Sequence, residues 1–147
     1  MILDTNVLVY CVGQDHPLRA PARRLVLAIE EGLLEATTSV LVIQEFTYVY
    51  ARRRSVAEAV SLARNWTALL APLVDVRSDD IDLALTLVER ASLKPSDALI
   101  ATAALRTGRS LVSADRDLAA VANLDVVYPD DDGIRSLLAG TPGGGTA

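Results

Sequence analysis

Histidine and cysteine are almost missing from this chain of 147 residues, which holds one of each, His16 and Cys11. A structural zinc site draws on several such ligands and is excluded, as is a disulfide within one chain. Cys11 sits in the apolar stretch Val7 to Val12 and reads as a small buried hydrophobe, while His16, beside Pro17 in a loop, reads as a surface residue. No apolar run approaches the roughly 18 residues that span a bilayer. The first acid comes at Asp4, before any basic and apolar signal-peptide pattern, so a cytoplasmic protein without membrane contact is expected.

Positive charge is also in short supply, with 14 Lys and Arg against 19 Asp and Glu and a net charge of −5. That balance is unfavourable for a partner of nucleic acid. The deficit is local. Up to Arg64 seven acids meet seven arginines, whereas from Asn65 onward twelve acids meet six arginines and one lysine. The N-terminal arginines form two groups, Arg19, Arg23, Arg24 and Arg52, Arg53, Arg54. Each group reads equally as a phosphate contact or as a solvated helix face.

A hydrophobic fraction of 51% and a charged fraction of 22% argue for a folded chain, and the length suits one core. Residues 1–138 are expected to form a single domain. The Gly-rich run 139–147 has nothing to bury and is expected to be a disordered tail. Short apolar runs at Met1–Leu3, Ala36–Thr38, Leu73–Val76, Ser110–Val112 and Val126–Tyr128 read as strands, separated by segments of helical spacing. Ser55 with Glu58 fits a capping box, Ser78 with Asp79 and Asp80 fits a helix start, Pro95 suits a first helical position, and Gly108 ends that helix. Alternating strand and helix predicts a parallel sheet with helices on its faces and a site at the carboxyl ends of the strands.

Four acids stand in unusual settings. Asp4 follows the first strand directly. Glu45 lies inside Val40 to Val49, a segment apolar enough to predict a largely buried helix. Asp97 opens the apolar helix Ala98 to Leu105, and Asp115 follows the strand Ser110 to Val112. Each has a dull explanation as a turn, cap or salt-bridge residue. Brought to one sheet edge, they make a concentrated negative site that a hard cation such as Mg²⁺ or Mn²⁺ relieves. The aromatics Phe46, Tyr48, Tyr50 and Trp66 read first as core, with a partner groove as the alternative for any left over.

Asp4-Thr5-Asn6 after an initial strand, Glu45 in an apolar helix, Asp97-Ala98-Leu99-Ile100-Ala101, and Ser113-Ala114-Asp115-Arg116-Asp117 resemble the PIN domain in order and spacing, over nearly the whole chain to Leu138. The short length resembles the VapC toxins of toxin-antitoxin pairs. The family often has Thr where Ser113 stands and Phe where Leu118 stands. The resemblance implies a three-layer α/β/α sandwich with a central, mostly parallel twisted sheet. It implies an endoribonuclease whose Asp4, Glu45, Asp97 and Asp115, assisted by Asp117, hold one or two Mg²⁺ or Mn²⁺ ions. Asn6 and Ser113 would orient those carboxylates, and water would attack an RNA phosphodiester in line. A cognate antitoxin and a homodimer are the implied partners. The alternatives are an inert binding module of the same fold, or a metal-dependent DNA nuclease or phosphatase.

Overall fold

The computed structural model describes residues 1–140; residues 141–147, most of the expected tail, lie outside the described residues. Three short strands, β1 (Ile2–Leu3), β2 (Leu111–Val112) and β3 (Val126–Val127), pair in parallel in the order β1-β2-β3. Leu3 is in register with Val112, and Val112 with Val127. The helices are α1 (Thr5–Val12), α2 (Arg19–Glu30), α3 (Val40–Arg53), α4 (Val56–Leu69), α5 (Asp80–Ala91), α6 (Pro95–Thr107) and α7 (Asp131–Ala139).

Two of the five expected strands are reduced to single parallel bridges, Ile2 with Thr37 and Ser39 with Val74. Ser39 already caps α3, so the chain leaves the sheet as soon as it enters it. Buried hydroxyls reinforce the short pairing: Thr38 donates to the Leu3 carbonyl and Thr37 to that of Pro72, both at 2.6 Å. Successive strand residues face opposite sides, yet Ile2, Leu3, Leu111 and Val112 are all fully buried. Helices therefore cover both faces, giving the three-layer arrangement. α1 packs on α2 and α3, α3 on α4, α5 on α6, and α7 returns to α2.

α3 is less buried than its apolar sequence predicts. Val42, Phe46 and Tyr50 form one buried stripe at four-residue spacing, while Val40 and Tyr48 face solvent. Three of the four aromatics are core: Phe46 stacks on Tyr50 and meets Trp66 edge-on. Tyr48 is outside, covered by Arg52, which donates to its hydroxyl at 2.7 Å.

The expected caps are mostly in place. Ser55 accepts from the Glu58 N–H, although the Glu58 carboxylate takes the Tyr50 hydroxyl. Pro95 opens α6, and Gly108 closes it at a φ of 62°, the left-handed region open to glycine. Ser78 does not cap α5. Asp79 holds that position without a side-chain bond, and Asp80 is drawn inward to the Arg77 N–H and to Arg106. α7 runs to Ala139, with Gly140 as its C-cap.

Candidate active site

Where β1 ends, Asp4 caps α1, and the residue is only 3% exposed. Its Oδ1 accepts from the Thr5 N–H at 2.7 Å, and its Oδ2 accepts from Asn6 Nδ2 at 2.7 Å and from the Ser113 hydroxyl at 2.5 Å. Ser113, buried at the end of β2, also accepts from Asn6 Nδ2 and from the Asp115 N–H, each at 3.0 Å. Asn6 completes the circuit by accepting from the Ala114 N–H at 3.0 Å. The parallel pairing of β1 and β2 makes this possible, because it brings Asp4 and Ser113 out at the same edge of the sheet.

Three further acids reach the same place. Glu45, half-buried beside the core stripe of α3, accepts the Thr5 hydroxyl on Oε2 at 2.6 Å. Asp97 lies in the first turn of α6, where the helix dipole favours an anion. Asp115 caps the 3₁₀ turn Arg116–Ala120 by accepting from the Asp117 N–H on Oδ1. Asp4, Glu45, Asp97 and Asp115 together line a cleft of about 350 Å³, with Thr5, Asn6, Val9, Tyr10, Val49, Arg53 and Lys94.

The crowding is visible in the acids themselves. Burial pushes the Asp4 carboxyl up to about 6, and the charges of Asp97 and Glu45 add to the rise, against the opposing hydrogen bonds from Ser113 and Thr5. Asp97 is also raised, by burial first and then by Asp115 and Glu45, with Lys94 and Ser96 opposing.

Other residues singled out from the sequence stand elsewhere. Asp117 is exposed and is not among the cleft-lining residues, because the Asp115 cap turns the chain outward there. Of the six arginines, Arg53 alone lines the carboxylate cleft; Arg54 joins it in an adjoining cavity of about 390 Å³ that shares Val9 and Arg53 with the cleft. Arg52 is spent on Tyr48 and Arg23 on the Cys11 carbonyl, while Arg24 pairs with Asp131 of α7. The Arg19 Nε is buried without a hydrogen-bond partner. Sequence reasoning missed Thr5, which holds Glu45, and Lys94, which faces Asp97. The single lysine immediately before Pro95 was the available signal for Lys94.

The donor set suits a hard divalent cation. Asp4 keeps one open position on Oδ1, and neither Glu45 Oε1 nor Asp115 Oδ2 has a hydrogen bond among the described residues. Among those residues no three Asp, Glu, His or Cys side chains are preset to grip one ion. Mg²⁺ does not require such a cage, since it commonly takes one or two carboxylates and completes its shell with water and phosphate.

A family profile for the PIN domain matches residues 1–124. The chain is 42% identical over 144 residues to Ribonuclease VapC7 of Mycobacterium tuberculosis, covering 94% of this chain and 97% of that one. It is 36% identical over 72 residues to Ribonuclease VapC23 of the same organism, covering 47% and 57%. In fold it is similar to VapBC2 from Rickettsia felis, solved with a DNA fragment from its promoter, at a TM-score of 0.66 and 19% identity, covering 85% of this chain and 95% of that one. A toxin-antitoxin complex from Klebsiella pneumoniae gives a TM-score of 0.62 at 18% identity, with 87% and 96% covered.

Proposed function

The chain belongs to the PIN-domain family, in its VapC branch, and on that premise we propose that it is a Mg²⁺- or Mn²⁺-dependent endoribonuclease acting as the toxin of a toxin-antitoxin pair. The observation that carries this reading is the convergence of Asp4, Glu45, Asp97 and Asp115 on one cleft that also holds Arg53 and Lys94. Ionised carboxylates packed together with partial burial are costly, and a structural role explains one such acid better than four.

In this reading residues 1–138 work as one nuclease domain. Asp4, Glu45, Asp97 and Asp115 present oxygens to one or two divalent ions, while Asn6 and Ser113 fix Asp4 from behind and Thr5 fixes Glu45. When bound, the ion supplies Lewis acidity, lowering the pKa of water and offsetting charge on the phosphate and leaving oxygen. Arg53 holds the RNA backbone on one side of the cleft, with Arg54 behind it, and Lys94 offsets charge at Asp97. Three donors hold Asp4 in place, whereas Glu45 and Asp115 each keep one oxygen without a hydrogen-bond partner among the described residues, and any of these carboxylates is placed to take the proton.

An antitoxin protein and a second copy of the chain are the partners that follow, with the cytoplasm as the place of action. Support comes from the toxin-antitoxin complexes among the similar folds and from exposed apolar side chains on α5, among them Ile81 and Leu85. No described helix is long and apolar enough to cross a membrane.

The test is cleavage of a total small-RNA pool by purified protein with Mg²⁺ or Mn²⁺, with EDTA, and with Asp4→Asn. Discrete cuts lost in both controls establish the reading. Folded, metal-loaded protein that cuts no RNA overturns it in favour of an inert binding module, and cleavage of DNA or a phosphomonoester instead reassigns the substrate.

A further inference from the structure

The carboxylate cleft has a second kind of wall that phosphate chemistry does not use. Asn6, Val9 and Tyr10 of α1 project into it, and Val9, Tyr10 and Val49 make that side apolar. Behind Tyr10 the chain turns at Gly13, where a Cβ would lie 2.6 Å from the Val9 carbonyl oxygen. That close approach lets the loop double back and lay the His16 imidazole on the Tyr10 ring, with centroids 4.2 Å apart and planes within 12°.

His16 is exposed, yet it is held in place: its Nδ1 accepts the Leu18 N–H at 3.1 Å and its carbonyl accepts the Arg19 N–H at 2.9 Å. Accepting at Nδ1 leaves the neutral ring's proton on Nε2. Tyr10 is half-buried, packed against the core on one side and lining the acid cleft on the other, while His16 lies outside the core altogether. Stacked face to face and partly open to water, the two rings leave only the outer faces of the pair, on which an unpaired base can continue the stack.

We propose that Tyr10 and His16 form a base-binding platform that stacks the nucleobase next to the scissile phosphate of a single-stranded RNA. The inference rests on the ribonuclease reading and deepens it by naming what holds the substrate besides its charge. A nucleotide brings both a phosphate and a flat apolar ring, and the cleft offers cations and carboxylates to the first and Tyr10, backed by His16, to the second. Tyr10 and His16 are positioning residues here; neither needs to touch the reacting atoms.

The experiment uses an RNA spanning a cleavage site mapped in the small-RNA pool, and copies carrying a single abasic residue at each nucleotide flanking the cut. With Mg²⁺ or Mn²⁺ present, kcat and KM are measured for wild type, Tyr10→Ala, His16→Ala, Tyr10→Phe and His16→Phe. One abasic position lowers wild-type kcat/KM by roughly 10- to 100-fold, mainly through KM, the range that stacking of one base supplies. The alanine variants lose a similar factor on intact RNA and no longer respond to that abasic position, whereas the phenylalanine variants still distinguish the two RNAs. His16→Ala keeps the test decisive should Tyr10→Ala fail to fold. If wild type cleaves RNA but no flanking base matters, or the alanine variants lose the same factor on every RNA, the platform is overturned and the nuclease stands. If wild type cleaves no RNA, both fall together.

Discussion

Ser113 at the end of β2 donates its hydroxyl to Asp4 at the end of β1, at 2.5 Å and across 109 residues of chain. The same oxygen accepts from Asn6 and from the Asp115 backbone, so one hydroxyl sets the position of two of the four cleft acids. Its replacement by Ser113→Ala leaves the half-buried Asp115 N–H and one buried Asp4 lone pair without that partner. The expected cost is about 1–3 kcal/mol in urea denaturation with EDTA. Mn²⁺ affinity, read by calorimetry, falls by roughly 10- to 100-fold. Full affinity in a destabilised variant would show that Ser113 serves the fold alone.

Asp4 gives the metal-free protein an unusual pH dependence. Its carboxyl rises from 3.8 to about 6, mainly through burial, so the folded state holds the proton more tightly than the unfolded chain. Stability contributed by that proton is present below about pH 4 and is lost as pH rises through 6. At about 1.4 kcal/mol per unit the loss is roughly 3 kcal/mol. Other acids titrate in the same window, so the useful quantity is the difference from Asp4→Asn in EDTA, which moves in the variant's favour from pH 4 to 7. Saturating Mn²⁺ reverses the trend for wild type only. A flat difference shows that Asp4 ionisation carries no cost.

Asp97 separates a metal site from a structural one. It is raised by burial and by its acidic neighbours, and its opposing partners are Lys94 and Ser96. With EDTA, Asp97→Asn relieves repulsion and leaves the thermal midpoint unchanged or higher. The upward shift on adding Mg²⁺ or Mn²⁺ shrinks, since that shift scales with affinity for the folded state. A strong loss of stability without metal would make Asp97 a structural partner of Lys94 and take it out of the site.

The four cleft acids were legible because each interrupts an apolar setting or ends a strand, and parallel topology does the rest. Thr5 was hidden for a physical reason: a hydroxyl next to Asp4 says nothing of a glutamate forty residues away until α3 is placed beside α1. Grouping in sequence misled for the arginines, since consecutive helical residues point about 100° apart. Thus Arg23 turns to the Cys11 carbonyl while Arg24 reaches α7, and Arg52 takes Tyr48 while Arg53 enters the cleft. The apolar composition of α3 overstated its burial, because only residues 42, 46 and 50 share its inward stripe.

Asp80 is a buried acid with the opposite character. Burial raises its pKa, but the Arg106 hydrogen bonds, the Arg77 N–H and both arginine charges outweigh that and hold it below the usual range. Its stabilising contribution is therefore present above about pH 4 and lost as pH falls further. Asp80→Asn costs about 3 kcal/mol at pH 7, the low end for a buried pair because Arg106 still reaches water. Asp80 lies outside the carboxylate cleft, so Mn²⁺ affinity of the folded variant stays at the wild-type value. A parallel loss of metal affinity would tie the α5–α6 junction to the site.

Arg53 and Arg24 make the sharpest comparison for RNA binding, because both are exposed arginines from the two groups and only their partners differ. Arg53 lines the cleft and has no ion pair among the described residues, whereas Arg24 is committed to Asp131. A free cation that meets a phosphate releases a counterion and steepens the salt dependence of binding; a paired one has less to give. Anisotropy of a labelled single-stranded RNA, measured in EDTA over a range of salt, reads this directly. Arg53→Ala weakens binding and lowers the slope of log K against log salt by about 0.7, the value for one phosphate on a single strand. Arg24→Ala leaves the slope in place and costs at most about 1 kcal/mol of stability, as an exposed ion pair does. Equal slopes for Arg53→Ala and wild type would move the RNA path off the Arg53 side of the cleft.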